Sequence, residues 1–391
     1  MKGNVKTMKK RILCVFLIFC MMLCVTNAVH AAAPVYAGTP DAASCILMDA
    51  KTGAVLYENN ADEALPPASV TKVMTMLLVF EAIDEGLLSL TDTIRVSETA
   101  ASMGGSQIFL APGEEMNVDD LLKGLIVSSA NDAAVALAEA IAGSEEAFVV
   151  KMNARAGELG MKNTHFENTN GLDDTTENHV TSARDIAIMT RELMKHKKVF
   201  DYTTIWMDTI RGGTFGLSNT NRLIRFYKGA TGLKTGSTAK AKFCISATAE
   251  RDGLSLIAVI MGSPTRDARN ALAASLLDFG FANYACYTDP EGALENIRIT
   301  GGVSNTLATL HESFSATVEK QVLSKIEKRI DIPEKLQAPI VKGQKIGTVT
   351  YLANGKEVGT ADILAAESVE KMTFASLFPK LLEWFLLSEG K

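Results

Sequence analysis

Three short polar clusters place a hydroxyl close to an amine or amide: Ser69-Val70-Thr71-Lys72, Ser129-Ala130-Asn131 and Lys234-Thr235-Gly236. A serine hydroxyl is a weak nucleophile until a base takes its proton. The five histidines, at 30, 165, 179, 196 and 311, are scattered, and none lies near Ser69 in sequence. A lysine held neutral by burial and by a second cation can act as the base instead. Lys72, one helical turn after Ser69, is the candidate base, and Lys234 the candidate second cation. Each cluster is weak alone, since Ser237-Thr238-Ala239-Lys240 repeats the first pattern and Lys51-Thr52-Gly53 the third. Order and context select the set 69/72, 129/131 and 234/236: S-x-x-K opening a helix, S-x-N at a helix end, K-T-G leading a strand. Ser69 follows Pro66-Pro67-Ala68 and opens an apolar helical run to Ala82. There, unpaired backbone N–H groups and the helix dipole favour developing negative charge.

The elements that must position these residues follow from hydrophobic periodicity. Ala43 to Tyr57 reads as a hairpin around Asp49-Ala50-Lys51-Thr52-Gly53. Helical patterns dominate from about 90 to 195, strands return at 243–249 and 254–261, and a helix follows at 267–281. Strands at both ends of a helical middle predict one α/β domain with an inserted helical region, over residues 38–287. After the turn Asp289-Pro290-Glu291-Gly292 the pattern changes to short alternating runs, with an Asn354-Gly355 hairpin signal, which predicts a small β-rich domain at 290–370. Residues 373–391 form an amphipathic tail, with Phe374, Leu377, Phe378, Leu381, Leu382 and Phe385 at helical spacing. The tail is too short to span a bilayer, and Pro379 should kink or shorten it. An interfacial anchor is the expectation, with a terminal helix packed on its own domain as the alternative.

Lys2, Lys6, Lys9, Lys10 and Arg11 precede the apolar run Ile12–Val25 and a Val29-His30-Ala31 cleavage pattern, which reads as a secretory signal peptide over 1–31. Cleavage after Ala37 and an uncleaved N-terminal anchor are the alternatives. The expected protein is exported and peripherally attached to the outer face of the cytoplasmic membrane. The chain carries net charge −6, and loss of those five cations makes the body more acidic, which speaks against a nucleic-acid partner. Of six cysteines only Cys45, Cys244 and Cys286 lie beyond the signal, too few and too dispersed for a disulfide framework. With no CxxC and no Cys/His clustering, neither metal nor cofactor is expected.

Together with Gly104-Gly105-Ser106, Asn168-Thr169-Asn170-Gly171-Leu172 and Gly232-Leu233-Lys234-Thr235-Gly236-Ser237-Thr238, the three clusters resemble the serine D-alanyl-D-alanine carboxypeptidases, the low-molecular-mass penicillin-binding proteins. The similarity covers about residues 40 to 370 and the tail. It implies a β-lactamase/transpeptidase-like fold, an antiparallel sheet flanked by helices. It further implies that Ser69 is acylated by a peptidoglycan stem peptide ending in D-Ala-D-Ala, or by a β-lactam. Lys72 would be the base, and Ser129 and Asn131 would relay protons and hold the substrate amide. Lys234 and Thr235 would face the substrate carboxylate beside Gly236, with Arg269 near it, and the backbone N–H groups of Ser69 and Ser237 would form the oxyanion hole. A class A β-lactamase would need a glutamate in an E-x-x-L-N pattern, whereas the corresponding stretch reads Phe166-Glu167-Asn168-Thr169-Asn170-Gly171. A non-catalytic peptidoglycan or β-lactam binder is the rival from another class.

Overall fold

The computed structural model describes residues 34–174 and 176–388. The expected signal peptide, residues 1–31, lies outside them. Five antiparallel strands form the central sheet, in the order Val55–Asn59, Ser44–Asp49, Leu254–Ser263, Lys242–Arg251, Ala230–Thr238. Successive side chains on a strand point to opposite faces, and here both faces are covered. Ile46, Met48, Ile257, Val259 and Met261 pack into the core shared with the helical region. Cys45, Leu47, Leu256, Ala258 and Ile260 pack into a second core beneath the Arg266–Asn283 helix. This two-sided burial is why these strands read as nearly unbroken apolar runs. At Gly280 the helix lies so close to the sheet that a β-carbon would fall 2.5 Å from Leu256 Cδ1.

The helical region between the two halves of the sheet starts its helices on polar caps. Asn117 accepts from Asp120 N at 2.7 Å to open Val118–Val127, and Ser182 accepts from Asp185 N at 3.1 Å to open Ala183–Leu193. Lys72–Asp84, buried along most of its length, runs through the middle of this core. Ser69 does not sit in that α-helix: it lies in a 3-10 turn, Ala68–Thr71, and Lys72 is the first α-helical residue.

Beyond Tyr284–Asp289, which pairs with Phe314–Glu319, the chain forms a six-stranded sheet from Gly292 to Ala365. The Asn354-Gly355 turn has both residues at positive φ (51° and 76°), as a tight hairpin of this twist requires. Tyr351 stacks on Phe314 at 4.0 Å and donates to Asp289 Oδ2 at 2.6 Å, so the start of this region is tied to its centre. The helix Phe374–Ser388 continues through Pro379. Its side chains Phe374 (79% exposed), Phe378 (54%) and Leu386 (64%) face solvent, while Lys380 donates to the Val303 carbonyl of the β-rich domain. No helix among the described residues is long and apolar enough to cross a membrane.

The two repeated motifs have structural duties. Lys51-Thr52-Gly53 is the turn that docks on the C-terminal β-region. Asp49 Oδ1 accepts from Lys51 N at 2.6 Å and Thr52 N at 2.9 Å, while its Oδ2 accepts from Thr317 Oγ1 at 2.8 Å. Lys240, of the second S-x-x-K, donates to the Asp173 carbonyl at 2.8 Å on a surface loop. Because Asp49 is fully buried, Asp49→Ala leaves several donors without an acceptor. It should lower stability by about 1–3 kcal/mol and shift the urea midpoint downward. An unmoved midpoint would contradict the docking role.

Candidate active site

Pro66-Pro67 delivers the chain into a turn whose first residue, Ala68, has φ 49°, a left-handed conformation that alanine rarely adopts. That turn puts Ser69 against the first residue of the helix. Lys72 Nζ stands 3.1 Å from Ser69 Oγ, 2.5 Å from Asn131 Oδ1 and 2.8 Å from the Asn170 carbonyl oxygen. Lys72 is completely buried. A neutral amine has two N–H bonds and one lone pair. The two oxygens that can only accept, on Asn131 and Asn170, take the N–H bonds, and the lone pair is left for the Ser69 hydroxyl. Burial, followed by the charge of Lys234, holds the Lys72 pKa well below its ordinary 10.5, against a smaller opposing effect of Asp132.

Asn131 is fixed at both ends of its amide: Oδ1 accepts from Lys72, and Nδ2 donates to the Gly104 carbonyl at 2.7 Å. Gly105, at φ 74°, leaves the room this requires, since a β-carbon there would lie 2.8 Å from Asn131 Nδ2. Neighbouring Asp132 accepts from Ile108 N and Leu110 N, which pins the same loop from below. Ser129 sits between two helices at φ 63°, and its buried hydroxyl has no hydrogen-bond partner. An unpaired buried hydroxyl costs about 1–3 kcal/mol, and strained residues of this kind cluster at active sites.

Lys234, Thr235 and Gly236 lie in the middle of the edge strand Ala230–Thr238 rather than at its start. A β-carbon on Gly236 would fall 2.8 Å from Ser69 N and 2.9 Å from the Pro67 carbonyl oxygen, so only glycine lets the strand approach the nucleophile turn this closely. Lys234 is buried, donates to the Thr235 carbonyl at 2.7 Å, and has its pKa lowered to about 7 by burial and by Arg269. Thr235 Oγ1 donates to Thr220 Oγ1 at 2.8 Å. Arg269 is 2% exposed, hydrogen-bonded to the Cys244 carbonyl and to Asn270. Ser237 is exposed at the rim.

These residues meet on one cleft of about 610 Å³, which Ser69, Ser129, Thr235, Gly236, Ser237 and Arg269 line. Arg222 and Arg266 are the other charged residues of its wall, so an acidic protein presents a cationic cleft. Sequence reasoning missed Thr220, Trp206 and Phe226 on that wall, which carry no spacing signal, and it quoted Asn170 without seeing its carbonyl as a partner of Lys72. Glu167 points elsewhere: its carboxylate accepts from Glu177 N and Asn178 N, both at 3.0 Å, on an exposed loop.

The D-alanyl-D-alanine carboxypeptidase family model, Peptidase S11, matches residues 27–265, and the C-terminal domain model of penicillin-binding protein 5 matches 293–371. The chain belongs to the D-alanyl-D-alanine carboxypeptidase family. It is 42% identical over 352 residues to the Bacillus subtilis carboxypeptidase DacF, covering 88% of this chain and 90% of that one. It is 34% identical over 381 residues to DacC of Escherichia coli, at 93% and 94% coverage. Among solved structures, penicillin-binding protein 5 of Haemophilus influenzae superposes with TM-score 0.77 at 32% identity, over 86% of this chain and all (100%) of that one. Penicillin-binding protein D2 of Listeria monocytogenes, in its ampicillin-bound form, superposes with TM-score 0.57 at 31% identity over 62% of this chain and 98% of its own. The fold and the enzyme class expected from the sequence are therefore those of a serine-type D-Ala-D-Ala carboxypeptidase.

Proposed function

We propose that this carboxypeptidase works through an acyl-enzyme on Ser69, and that the observation carrying this reading is the buried Lys72 amine set between Ser69 Oγ and two carbonyl acceptors. The Lys72 lone pair takes the Ser69 proton as Oγ attacks the carbonyl of the penultimate D-alanine. The resulting oxyanion is held by the backbone N–H groups of Ser69 and Ser237, a reading supported by the close approach of Gly236, the residue before Ser237, to Ser69 N. The C–N bond then breaks, and the departing D-alanine amine receives its proton from Lys72 by way of the Ser129 hydroxyl, whose unpaired state leaves it available for the transfer. Water attacks the ester with Lys72 again as base, releasing the shortened peptide and restoring Ser69. Lys234, Thr235 and Arg269 hold the terminal carboxylate, and Asn131 the peptide amide. Loss of the terminal D-alanine removes the group that drives cross-linking, so the reaction limits cross-links in the wall.

A β-lactam presents a strained amide and a carboxylate to the same groups, and the ampicillin-bound Listeria relative supports acylation of Ser69 by such compounds. The purified mature protein should release D-alanine from a stem pentapeptide and gain the mass of penicillin. Ser69→Ala should abolish both. Lys72→Arg should lower acylation at least about 10²-fold, because arginine keeps the charge but gives up no proton at working pH. Parental acylation in Lys72→Arg would remove Lys72 as the base, and an adduct persisting in Ser69→Ala would move the nucleophile elsewhere.

Export follows from the N-terminal signal pattern, and attachment to the outer face of the membrane from the tail. We read 38–287 as the catalytic domain and 290–370 as a stand that holds it off the bilayer toward peptidoglycan. Burying a large apolar side chain contributes about 1.5–3 kcal/mol when complete, so partial immersion of the exposed tail residues suffices for docking. A chain ending at Met372 should stay folded and active on soluble peptide yet leave the membrane fraction. Its retention there would point to an uncleaved N-terminal anchor instead.

A further inference from the structure

The turn that presents Ser69 is held from behind by a chain of three hydrogen bonds that the reaction itself does not use. Glu167 N donates to His179 Nδ1 at 3.0 Å. His179 Nε2 lies 2.7 Å from Thr71 Oγ1, and Thr71 Oγ1 lies 2.9 Å from the Ala68 carbonyl oxygen. The proton positions follow by elimination. A backbone amide can only donate, so Nδ1 is an acceptor and carries no proton. A carbonyl can only accept, so the Thr71 hydroxyl proton points at Ala68. The remaining contact closes only if Nε2–H donates to the Thr71 oxygen. The imidazole is thereby fixed as one neutral tautomer.

The end of this chain is the residue held at φ 49° immediately before Ser69. On its other side the Ala68 carbonyl meets Gly171, where a β-carbon would lie 1.9 Å from the oxygen, and Gly171 follows Asn170, whose own carbonyl holds Lys72. The Ala68 carbonyl is clamped between Thr71 at the far end of the turn and the 168–172 loop, and His179 orients the first of these two jaws.

We propose that His179 is a positioning residue for acylation, which as the neutral Nε2–H tautomer locks the Thr71 hydroxyl onto the Ala68 carbonyl and so sets the Ser69 hydroxyl against the Lys72 amine. It rests on Ser69 being the acylated serine. The surroundings favour the neutral ring: it is 5% exposed, with the edge of Phe166 packed on it at 5.7 Å. Burial lowers its pKa to about 4, while the Glu167 and Asp173 carboxylates oppose that shift and His165 adds to it. A doubly protonated ring would turn Nδ1–H against the Glu167 amide N–H and break the chain at its first link. Because the folded pKa lies below that of the unfolded imidazole, this contribution to stability is complete above about pH 6.5 and is lost as pH falls toward 4.

The test is a double-mutant cycle on acylation by a chromogenic β-lactam and on kcat and KM for a stem pentapeptide, using the full mature protein. His179→Ala and Thr71→Val should each lower the acylation rate and kcat about 10- to 100-fold with KM little changed, since the loss is of alignment. Acting through one contact, the pair should lose no more than the worse single variant. His179→Gln, which keeps an N–H at the Nε2 position, should recover most of the His179→Ala loss. Multiplying losses in the pair, or parental rates in His179→Ala, would overturn the relay. Nitrogen-15 NMR of the histidine-labelled parent needs no variant to fold: a neutral Nε2–H ring at pH 7 supports the assignment, and an Nδ1–H or doubly protonated ring overturns it. A penicillin adduct on Ser69→Ala would overturn the reading of Ser69 and this inference with it, whereas multiplying losses would overturn the relay alone.

Discussion

Everything in this site depends on removing one lysine from water. In solvent the Lys72 amine would be protonated at working pH and could accept nothing. Full burial reverses that preference, because the low-dielectric interior penalises the charged form, and the nearby Lys234 adds to the effect. The same burial depresses Lys234, but there Arg269 is the neighbouring charge. Lys72 thus feels the cation on Lys234, and Lys234 in turn feels the cation on Arg269. A lowered Lys72 pKa suits the base proposed for Ser69.

Backbone packing makes the burial possible. Gly236 and Gly105 each mark a place where one segment comes within a β-carbon's distance of another that carries a functional atom. These approaches bring together three stretches far apart in sequence: the Ser69 turn, the Ser129–Asn131 link between helices and the Lys234 strand. The two-sided core behind the sheet holds the strand edge still, and Asp132 holds the Gly104–Leu110 loop. Within the site, Ser129 combines an orphaned hydroxyl with a positive φ, and Ala68 also has a positive φ.

Much of this was legible in the sequence. The three polar clusters were selected over their repeats by context, and the structure brings Ser69, Lys72 and Asn131 into direct contact. The buried strands, the Asn354-Gly355 hairpin and the exposed apolar tail also followed from periodicity and turn chemistry. What escaped was set by tertiary approach. The Asn170 carbonyl is a backbone atom, identical in every residue type, so no sequence pattern marks it. Likewise, Pro66-Pro67 announced a helix start but not the 3-10 turn that separates Ser69 from it. Lys51-Thr52-Gly53 shows the converse, a motif made ordinary by its position beside Asp49 and Thr317.

The central claim is that Lys72 is neutral when Ser69 attacks. The direct measurement is the pH dependence of the Ser69 acylation rate at saturating β-lactam, so that binding through Lys234 drops out. The rate should rise with one ionisation whose midpoint lies well below 10.5, and that midpoint should move upward in Lys234→Ala, where the second cation is gone. A rate that climbs through 10.5 as for a solvated lysine, or a midpoint indifferent to Lys234, would contradict the account.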